Sequence, residues 1–322
     1  MGRYPFTECL NEFLPLEEGH ISTDTMGTMY RRLRQIGRIF KELKEEGKVS
    51  TDNPRFITPK DIDVFVGYRK KHNIKNSTIL KDLSYMSKLL GYFDNEAVYK
   101  FKFKYPAHYP KKYQKRMPSM EEPVVQRILD AAEKVSVFDW KMSEAYGLVT
   151  LAVCTGFRPK ELRMLSLSNV YIDGDVAEIY AVHVKGEDTY GSERWVTVHP
   201  DGVPILKKYI EARKIRLFAA GRESDSLFPP LVTNLEYISY KRIRMLKSYV
   251  EEDLGEQFEL RKCRRTFGQR ALNEGQEIHN VSIVMGHSSL ATTQRYYCDK
   301  EQHAASTEMR DFWTRKQQTE DA

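Results

Sequence analysis

The sequence is poor in cysteine and lacks any metal-binding pattern. It has four cysteines in 322 residues, no CxxC pair, and no Cys/His cluster with the spacing of a zinc site. We therefore predict no metal ion and no cofactor. We interpret the four cysteines as buried or incidental thiols in a reducing compartment: Cys9, Cys154, Cys263 and Cys298.

Long apolar runs are missing as well. No stretch approaches the roughly 20 apolar residues that cross a bilayer, and the first residues lack the apolar segment of a signal peptide. Phe6 stands where a myristoylation motif needs a small hydroxyl residue. We therefore expect a cytoplasmic protein with no membrane partner. The length and a hydrophobic content of 41% predict two packed domains.

Charge is unevenly spread along the chain. The formal net charge is +6, but residues 1–116 carry 23 Lys/Arg against 14 Asp/Glu, whereas the remainder carries 28 against 31. This asymmetry favours a polyanionic partner for the first half. A solvated basic surface without a partner is equally compatible with the charge alone.

Residues 1–98 are predicted to form a compact helical domain. Apolar residues recur at helical spacing, and no strand pattern interrupts them. Thr58 is a candidate N-cap followed by Pro59 in the first turn, and Asn76 or Ser77 is the candidate cap of the next helix. The pattern predicts three or four short helices.

Residues 99–118 form a basic and aromatic stretch without an acidic residue. Three prolines interrupt it, which predicts an extended linker or arm. Its rings could pack on a domain, or its cations could follow a phosphate backbone. Because nothing acidic neutralises the cations, we favour DNA binding by Lys100, Lys102, Lys104, Lys111, Lys112, Lys115 and Arg116.

Residues 119–298 mix helices and strands and predict a second domain, with residues 299–322 as a C-terminal tail or helix. A buried helix is predicted over 143–157, and strands over Val176–Val184 and Arg194–Val198. The spacing of apolar residues changes here from the helical period to the alternation of a strand, which predicts a small antiparallel β-sheet in a mainly α protein.

Two short stretches place a cation beside a glycine. In TGFRPKEL, Arg158 follows a glycine that permits a sharp turn, and Glu161 comes one helical turn later, where it can orient the guanidinium. In HVKGEDTYGSERW, Lys185 lies at the tip of the predicted hairpin. Taken singly, such residues are more often a surface ion pair and a solvated turn lysine.

The stretch ELRKCRRTFGQRAL places Arg261 and Arg264 three residues apart on one helix face, with Arg265 and Arg270 elsewhere on the surface. Like charges at this spacing repel by roughly a few tenths of a kcal/mol. We therefore expect an anion between Arg261 and Arg264.

The stretch MGHSSLATTQRYY carries a histidine and a tyrosine pair. Gly286 can end a helix just before His287. Tyr296 and Tyr297 then fall on the next helix, about 100° apart around its axis. One of them can therefore act in a groove while the other packs.

Taken in order, these four stretches resemble the motifs of the tyrosine recombinase/integrase family, the phage-type integrases. TGFRPKEL matches TGxRxxEL, Lys185 matches a hairpin lysine before glycine, RKCRRTF matches HxLRHTF, and MGHSSLATTQRY matches LGHSSxxTTxxY almost letter for letter. The resemblance covers nearly the whole chain. It implies a helical, SAM-like core-binding domain over residues 1–98 and an α+β catalytic domain over residues 119–298.

The resemblance also implies a chemistry. It predicts a site-specific DNA recombinase that forms a 3′-phosphotyrosyl intermediate without metal or ATP, acting on double-stranded DNA as a homo-oligomer from dimer to tetramer. Tyr296, nine residues after His287, is then the nucleophile, and Lys185 protonates the leaving oxygen. The implied catalytic residues are Arg158, Lys185, Arg261, Arg264, His287 and Tyr296, with Glu161 holding Arg158.

One position departs from the family pattern, because Arg261 stands where the family has histidine. A guanidinium can bind a phosphate but cannot exchange a proton near neutral pH. Two alternatives stay open: a type IB topoisomerase that relaxes supercoils by the same tyrosyl chemistry, and a non-catalytic DNA-binding module. The separate helical domain favours a recombinase, expected to be the integrase of a mobile element or virus and to be nucleoid-associated, in the host cell if virus-encoded.

Overall fold

A computed structural model describes residues 4–111, 118–184, 192–233, 235–287, 289–297 and 309–310, with the main chain alone at residues 295–297. The chain divides into two compact units, residues 1–115 and 116–322. The division falls inside the segment that was predicted to link the domains. Among the residues that the structure describes, none of the helices combines the length and the apolar character needed to span a membrane.

The first unit is helical, as predicted. Its helices are α1 (Pro5–Glu17), α2 (Thr23–Glu45), α3 (Pro59–Lys71), α4 (Asn76–Tyr92) and α5 (Ala97–Lys104). They enclose one apolar core, whose most buried members include Leu10, Leu33, Phe40, Phe65, Met86 and Phe101.

Two helix starts in this unit test the capping predictions. Thr58 caps α3 in a capping box with Asp61, as the sequence predicts. The predicted cap of α4 is wrong: Lys75 is the N-cap residue and makes no side-chain cap bond. The Asn76 amide instead donates to the carbonyl of Lys111, 3.0 Å away, so a tertiary contact takes the place of the local one.

The extended arm predicted over residues 99–118 is wrong in its first part, which is the helix α5. Phe101 is fully buried in the core of the first unit, and α5 packs against α3 and α4. Tyr99 and Phe103 stay exposed, with their ring centroids 4.8 Å apart. We infer that burial of Phe101, together with Ala97 and Val98, favours a helix here over the extended strand that alternating lysine and aromatic residues indicate. Lys112, Lys115 and Arg116 lie outside the described residues.

The second unit contains the helices α6 (Glu122–Lys134), α7 (Trp140–Thr155), α8 (Pro159–Arg163), α9 (Val203–Ala219), α10 (Tyr240–Leu254), α11 (Leu260–Asn273), α12 (Ile278–Val284) and α13 (Leu290–Tyr297). Every residue of α7 from Ser143 to Thr155 is buried, which confirms the predicted buried helix. Helices α6, α9, α10 and α11 pack around α7. The core of this unit therefore surrounds one central helix.

A three-stranded antiparallel sheet flanks this helical core, with strands β1 (Val170–Asp173), β2 (Val176–Ala181) and β3 (Arg194–Thr197) in that order. Strands β2 and β3 are shorter than predicted. In β3, Arg194 and Val196 point inward, whereas the two residues that alternate with them are exposed. The predicted fold class, mainly α with a small antiparallel sheet, is confirmed.

Candidate active site

The connection between α7 and α8 positions Arg158. Gly156 has φ +65°, and a β-carbon there would lie 2.6 Å from the ring of Phe267, so only glycine allows this turn. Arg158 is the N-cap residue of α8, with Pro159 in the first turn as predicted. Its main-chain N–H donates to Glu161 Oε2 at 2.9 Å, and its Nη1 donates to Oε1 at 2.8 Å. The one carboxylate thus holds both the main chain and the guanidinium of Arg158.

Glu161 is buried, with its side chain 0% exposed, so the alternative of a surface ion pair is wrong. A second guanidinium, that of Arg194, donates to the same carboxylate at 3.0 Å. Burial alone would raise the pKa of Glu161, but Arg194 and Arg158 outweigh it and hold the pKa below its ordinary value. The carboxylate therefore stays ionised between two arginines.

Arg264 comes from α11 and is also buried. Its Nη1 donates to the carbonyl of Gly156 at 2.6 Å, and its Nη2 donates to the carbonyl of Met285. Its Nη2 also lies 3.0 Å from His287 Nε2. Arg264 thereby joins the turn after α7 to the turn after α12.

Two other arginines of α11 differ from Arg264 in their surroundings. Arg261 is exposed, so it does not share the buried environment of Arg264. Arg270 was expected on the surface, but it is buried, donates to Asp201 at 2.6 Å and forms an ion pair with Glu122 at 3.2 Å. Helical spacing fixes the angle of each side chain around the helix axis. Only the packing of neighbouring elements decides which of those side chains are buried.

His287 follows Gly286, which ends the α12 region with φ +61°. An arginine N–H can only donate, so His287 Nε2 accepts from Arg264 and the ring proton lies on Nδ1. Nδ1 lies 2.7 Å from the hydroxyl of Thr293, which is buried in α13. Burial and the cations Arg264, Arg158 and Arg194 lower the pKa of His287 to about 3. The imidazole is therefore neutral at pH 7.

The turn that carries His287 is held by the arginines around it. Three successive main-chain carbonyls, at residues 284–286, each accept a hydrogen bond from a different guanidinium. A helix C-terminus leaves such carbonyls without intrahelical donors and carries partial negative charge. The pairs are Arg194 with Val284, Arg264 with Met285, and Arg158 with Gly286.

Tyr296 and Tyr297 lie on α13, as predicted, in the helix that directly follows the arginine-held turn. Their side chains lie outside the described residues, as do Lys185 and Ser288. The structure thus brings together Arg158, Glu161, Arg264 and His287, and it places the main chain of Tyr296 on the adjoining helix.

Arg194 and Thr293 are parts of this cluster that were not singled out from the sequence. Arg194 was predicted only as the first residue of a strand, and the signal available was the alternation that turns it to the same side as Val196. An arginine at an inward strand position requires a buried acidic partner. That partner is Glu161, which the sequence indicated only as the carboxylate that orients Arg158.

The cluster is suited to an anion. Arg158, Arg194 and Arg264 supply three positive charges, Glu161 supplies one negative charge, and His287 is neutral, so two positive charges remain in excess. Of the three arginines, Arg158 is the partly exposed one, with 24% of its side chain accessible. Planar guanidinium groups in such an arrangement bind phosphate oxygens through paired, charge-assisted hydrogen bonds.

Comparison with known proteins assigns the family. The model of the phage integrase family matches residues 118–303, more than half of the chain. The chain therefore belongs to the phage integrase family. The predicted family, and the predicted enzyme class of tyrosine-type site-specific recombinases, are confirmed.

Individual relatives agree with this assignment. The tyrosine recombinase XerD of Haemophilus ducreyi is 23% identical over 259 residues, which cover 79% of this chain and 80% of XerD. The tyrosine recombinase XerC of Leptospira interrogans (serovar copenhageni) is 25% identical over 312 residues, which cover 92% of this chain and 93% of XerC. The similarity therefore extends through both units of the chain.

Solved structures agree in fold. XerH site-specific recombinase, in a post-cleavage complex with its difH substrate, has a TM-score of 0.67 at 15% identity, covering 88% of this chain and 79% of XerH. The Tn1549 transposon integrase, bound to a circular intermediate DNA, has a TM-score of 0.64 at 14% identity, covering 96% of this chain and 99% of the integrase chain. Both likenesses support the helical and sheet architecture described above.

Proposed function

We propose that this protein is a site-specific DNA recombinase that cleaves and rejoins strands through a 3′-phosphotyrosyl intermediate, without metal or ATP. The observation that carries the proposal is the convergence of Arg158, Arg264 and His287 from three separate segments, at the turn that leads into the helix of Tyr296. XerH, XerC, XerD and the Tn1549 integrase support the same assignment.

In this proposal the hydroxyl of Tyr296 releases its proton to solvent water and its oxygen bonds to the phosphorus, while the bond from phosphorus to the 5′-oxygen breaks. Negative charge grows on the non-bridging oxygens, where Arg158 and Arg264 stabilise it. Lys185 protonates the departing 5′-oxygen. The phosphotyrosyl bond preserves the energy of the phosphodiester, so a 5′-hydroxyl from another strand can reverse the step without ATP.

His287 and Arg261 take the remaining roles in the proposal. His287 is neutral, and in the proposal it donates Nε2–H to a phosphate oxygen rather than acting as a cation. This requires the other tautomer, in which the phosphate replaces His287 as a partner of Arg264 and Nδ1 accepts from the hydroxyl of Thr293. Arg261 lies exposed on α11 and adds a third cationic contact. Because a guanidinium stays protonated, Arg261 cannot accept the phenol proton of Tyr296.

The first unit is proposed to grip the DNA duplex. Lys100, Lys102 and Lys104 project from α5, whose inner face is buried through Phe101. Together with Lys111, Lys112, Lys115 and Arg116 they supply phosphate contacts that position the protein without reading sequence. A lambda integrase dimer bound to a core site has a TM-score of 0.63 with this chain, which supports a dimer or larger homo-oligomer on DNA.

The test is covalent capture on DNA. A binding site is first selected from random-sequence duplexes with the Tyr296→Phe variant, and duplexes of that site are then nicked at successive positions. A nick beside the cleavage point releases a short 5′-hydroxyl fragment and traps the protein on the strand. We expect the wild-type chain to give a denaturation-resistant adduct in EDTA without ATP, and the Tyr296→Phe variant to give none.

The matched control is Tyr297→Phe, which removes the neighbouring hydroxyl and should retain the adduct. Adduct loss with Tyr297→Phe and not with Tyr296→Phe would overturn the choice of nucleophile. Absence of any adduct would favour the DNA-binding module. Relaxation of a supercoiled plasmid lacking the selected site would favour the type IB topoisomerase.

A further inference from the structure

Arg194 is buried at the start of β3, and each of the three nitrogens of its guanidinium has a protein acceptor. Its Nε donates to the carbonyl of Val284 at 2.7 Å. Its Nη2 and Nη1 donate to the two oxygens of Glu161, at 3.0 and 3.5 Å. Only 7% of the side chain is exposed. All three nitrogens therefore face protein acceptors in this structure.

Those acceptors belong to two parts of the proposed active site. Glu161 is the carboxylate that holds the guanidinium of Arg158. Val284 ends α12 and directly precedes the turn that carries His287. Arg194 thus links β3 to Glu161 and to the turn of His287. Helix α12, which leads into that turn, also packs on β3.

The fit of this link is tight. A β-carbon at Gly286 would lie 2.9 Å from Cζ of Arg194 and 3.0 Å from its Nε and Nη1. The guanidinium also lies 5.9 Å from the ring centroid of Phe157. A buried side chain in close contact with its neighbours transmits a displacement of the sheet to the site instead of absorbing it.

We propose that Arg194 is a positioning residue of this site: it fixes the turn of His287 through Val284, and it fixes Arg158 through Glu161, without touching the DNA. The inference rests on the proposed function, because the groups it positions are those assigned to the phosphate. It adds a residue of strand β3 to the groups that hold Arg158 and the turn of His287.

The experiment compares Arg194→Gln and Arg194→Lys with a matched control, Arg213→Gln. Arg213 is likewise a buried arginine that holds main-chain carbonyls, those of Ser224 and Ser226, away from the site. Thermal midpoint, DNA affinity and single-turnover rate of adduct formation on saturating nicked duplex are measured for each full-length variant.

We expect Arg194→Gln to slow adduct formation at least about tenfold, because small misplacements of reacting groups are costly. DNA affinity should stay within about threefold, since many phosphate contacts elsewhere are retained. The rate of adduct formation by Arg194→Lys should lie between the rates of the wild type and Arg194→Gln, because one ammonium cannot hold both Glu161 and Val284 in the fork geometry. Arg213→Gln should lower the thermal midpoint without slowing the saturated rate.

A second readout does not need activity. Five groups face His287: Arg264 on α11, Arg158 at the N-cap of α8, Glu161 on α8, Arg194 on β3 and the hydroxyl of Thr293 on α13. In ¹⁵N-histidine NMR, the pKa of His287 should rise in Arg194→Gln, which removes a cation, and fall in Glu161→Gln, which removes the anion. Arg213→Gln should leave it at the wild-type value.

The outcomes separate the inference from the proposed function. If the wild-type chain forms no adduct, the proposed function fails, and the pKa of His287 still tests the link to Arg194. If the wild-type chain forms the adduct and both Arg194 variants keep the wild-type saturated rate, Arg194 is not a positioning residue. If Arg194→Gln does not fold, a saturated rate of Arg194→Lys equal to that of Arg213→Gln overturns the inference.

Discussion

The guanidinium of Arg194 packs against the main chain of Gly286 so closely that a β-carbon at residue 286 would lie 2.9 Å from Arg194 Cζ. Gly286 also has φ +61°, a conformation that side chains disfavour. We expect Gly286→Ala to be destabilising by more than the roughly 1 kcal/mol that such a conformation costs by itself, and to slow adduct formation.

Gly255→Ala is the control for that variant. Gly255 has φ +64°, but nothing lies within 4 Å of a β-carbon built there. It therefore shares the backbone cost without the clash. Denaturant unfolding should show a larger decrease in the free energy of unfolding for Gly286→Ala than for Gly255→Ala. Equal decreases would mean that the packing against Arg194 contributes nothing.

A second prediction concerns Arg261, which stands where the family has histidine. If an exposed cation at residue 261 assists the phosphate, Arg261→His makes that assistance depend on pH. The rate of adduct formation in the variant should be highest below about pH 6.5, the ordinary pKa of histidine, and should fall as the pH rises through that value. The wild-type chain should lack this transition, because a guanidinium does not titrate there.

The measurement is the single-turnover rate between pH 5.5 and pH 8.5, as a ratio of variant to wild type. The ratio cancels changes that both proteins share, including those of the DNA. A flat ratio would show that the charge at residue 261 has no part in the reaction.

A third prediction follows from the neutral His287. Its pKa is about 3 in the folded chain against an ordinary value of 6.5, so between these values the unfolded chain binds a proton that the folded chain does not. The contribution of His287 to stability is therefore fully present above pH 6.5 and is lost as the pH falls toward 3. We expect His287→Gln to flatten the loss of stability between pH 6.5 and pH 5, measured by urea unfolding.

The matched control for acid stability is His279→Gln, which removes an exposed histidine from α12. This variant should lose stability between pH 6.5 and pH 5 as steeply as the wild-type chain does. An unchanged slope in His287→Gln would mean that the buried imidazole does not stay neutral at mildly acidic pH.

A fourth prediction tests the lysines of α5. Each phosphate contact contributes roughly 0.9 to the slope of log K against log salt. Replacement of Lys100, Lys102 and Lys104 together by glutamine should reduce that slope by about 2 to 3. Replacement of three lysines of α9, Lys207, Lys208 and Lys214, serves as the control and should leave the slope within about 1 of the wild type. An equal reduction in both would mean a general effect of charge.

Local patterns predicted several elements well. The N-cap at Thr58, the helical conformation of α7 and the glycine turns before Arg158 and His287 depend on neighbours in the sequence, so the sequence contains their causes. The cap predicted for α4 and the arm predicted over residues 99–118 failed where a distant contact intervened. For α5 that contact is the burial of Phe101 in the core of the first unit.

The amino-acid sequence by itself determined the family, the order of its motifs and the place of Tyr296 on the helix after His287, because motif spacing within one helix or turn is a local property. Only the tertiary structure decided that Glu161 is buried between two guanidiniums, that Arg264 is enclosed while Arg261 is exposed, and that Arg194 joins the sheet to the site. Burial and charge pairing arise between segments more than 20 residues apart in the chain, and their geometry exists only once the helices pack.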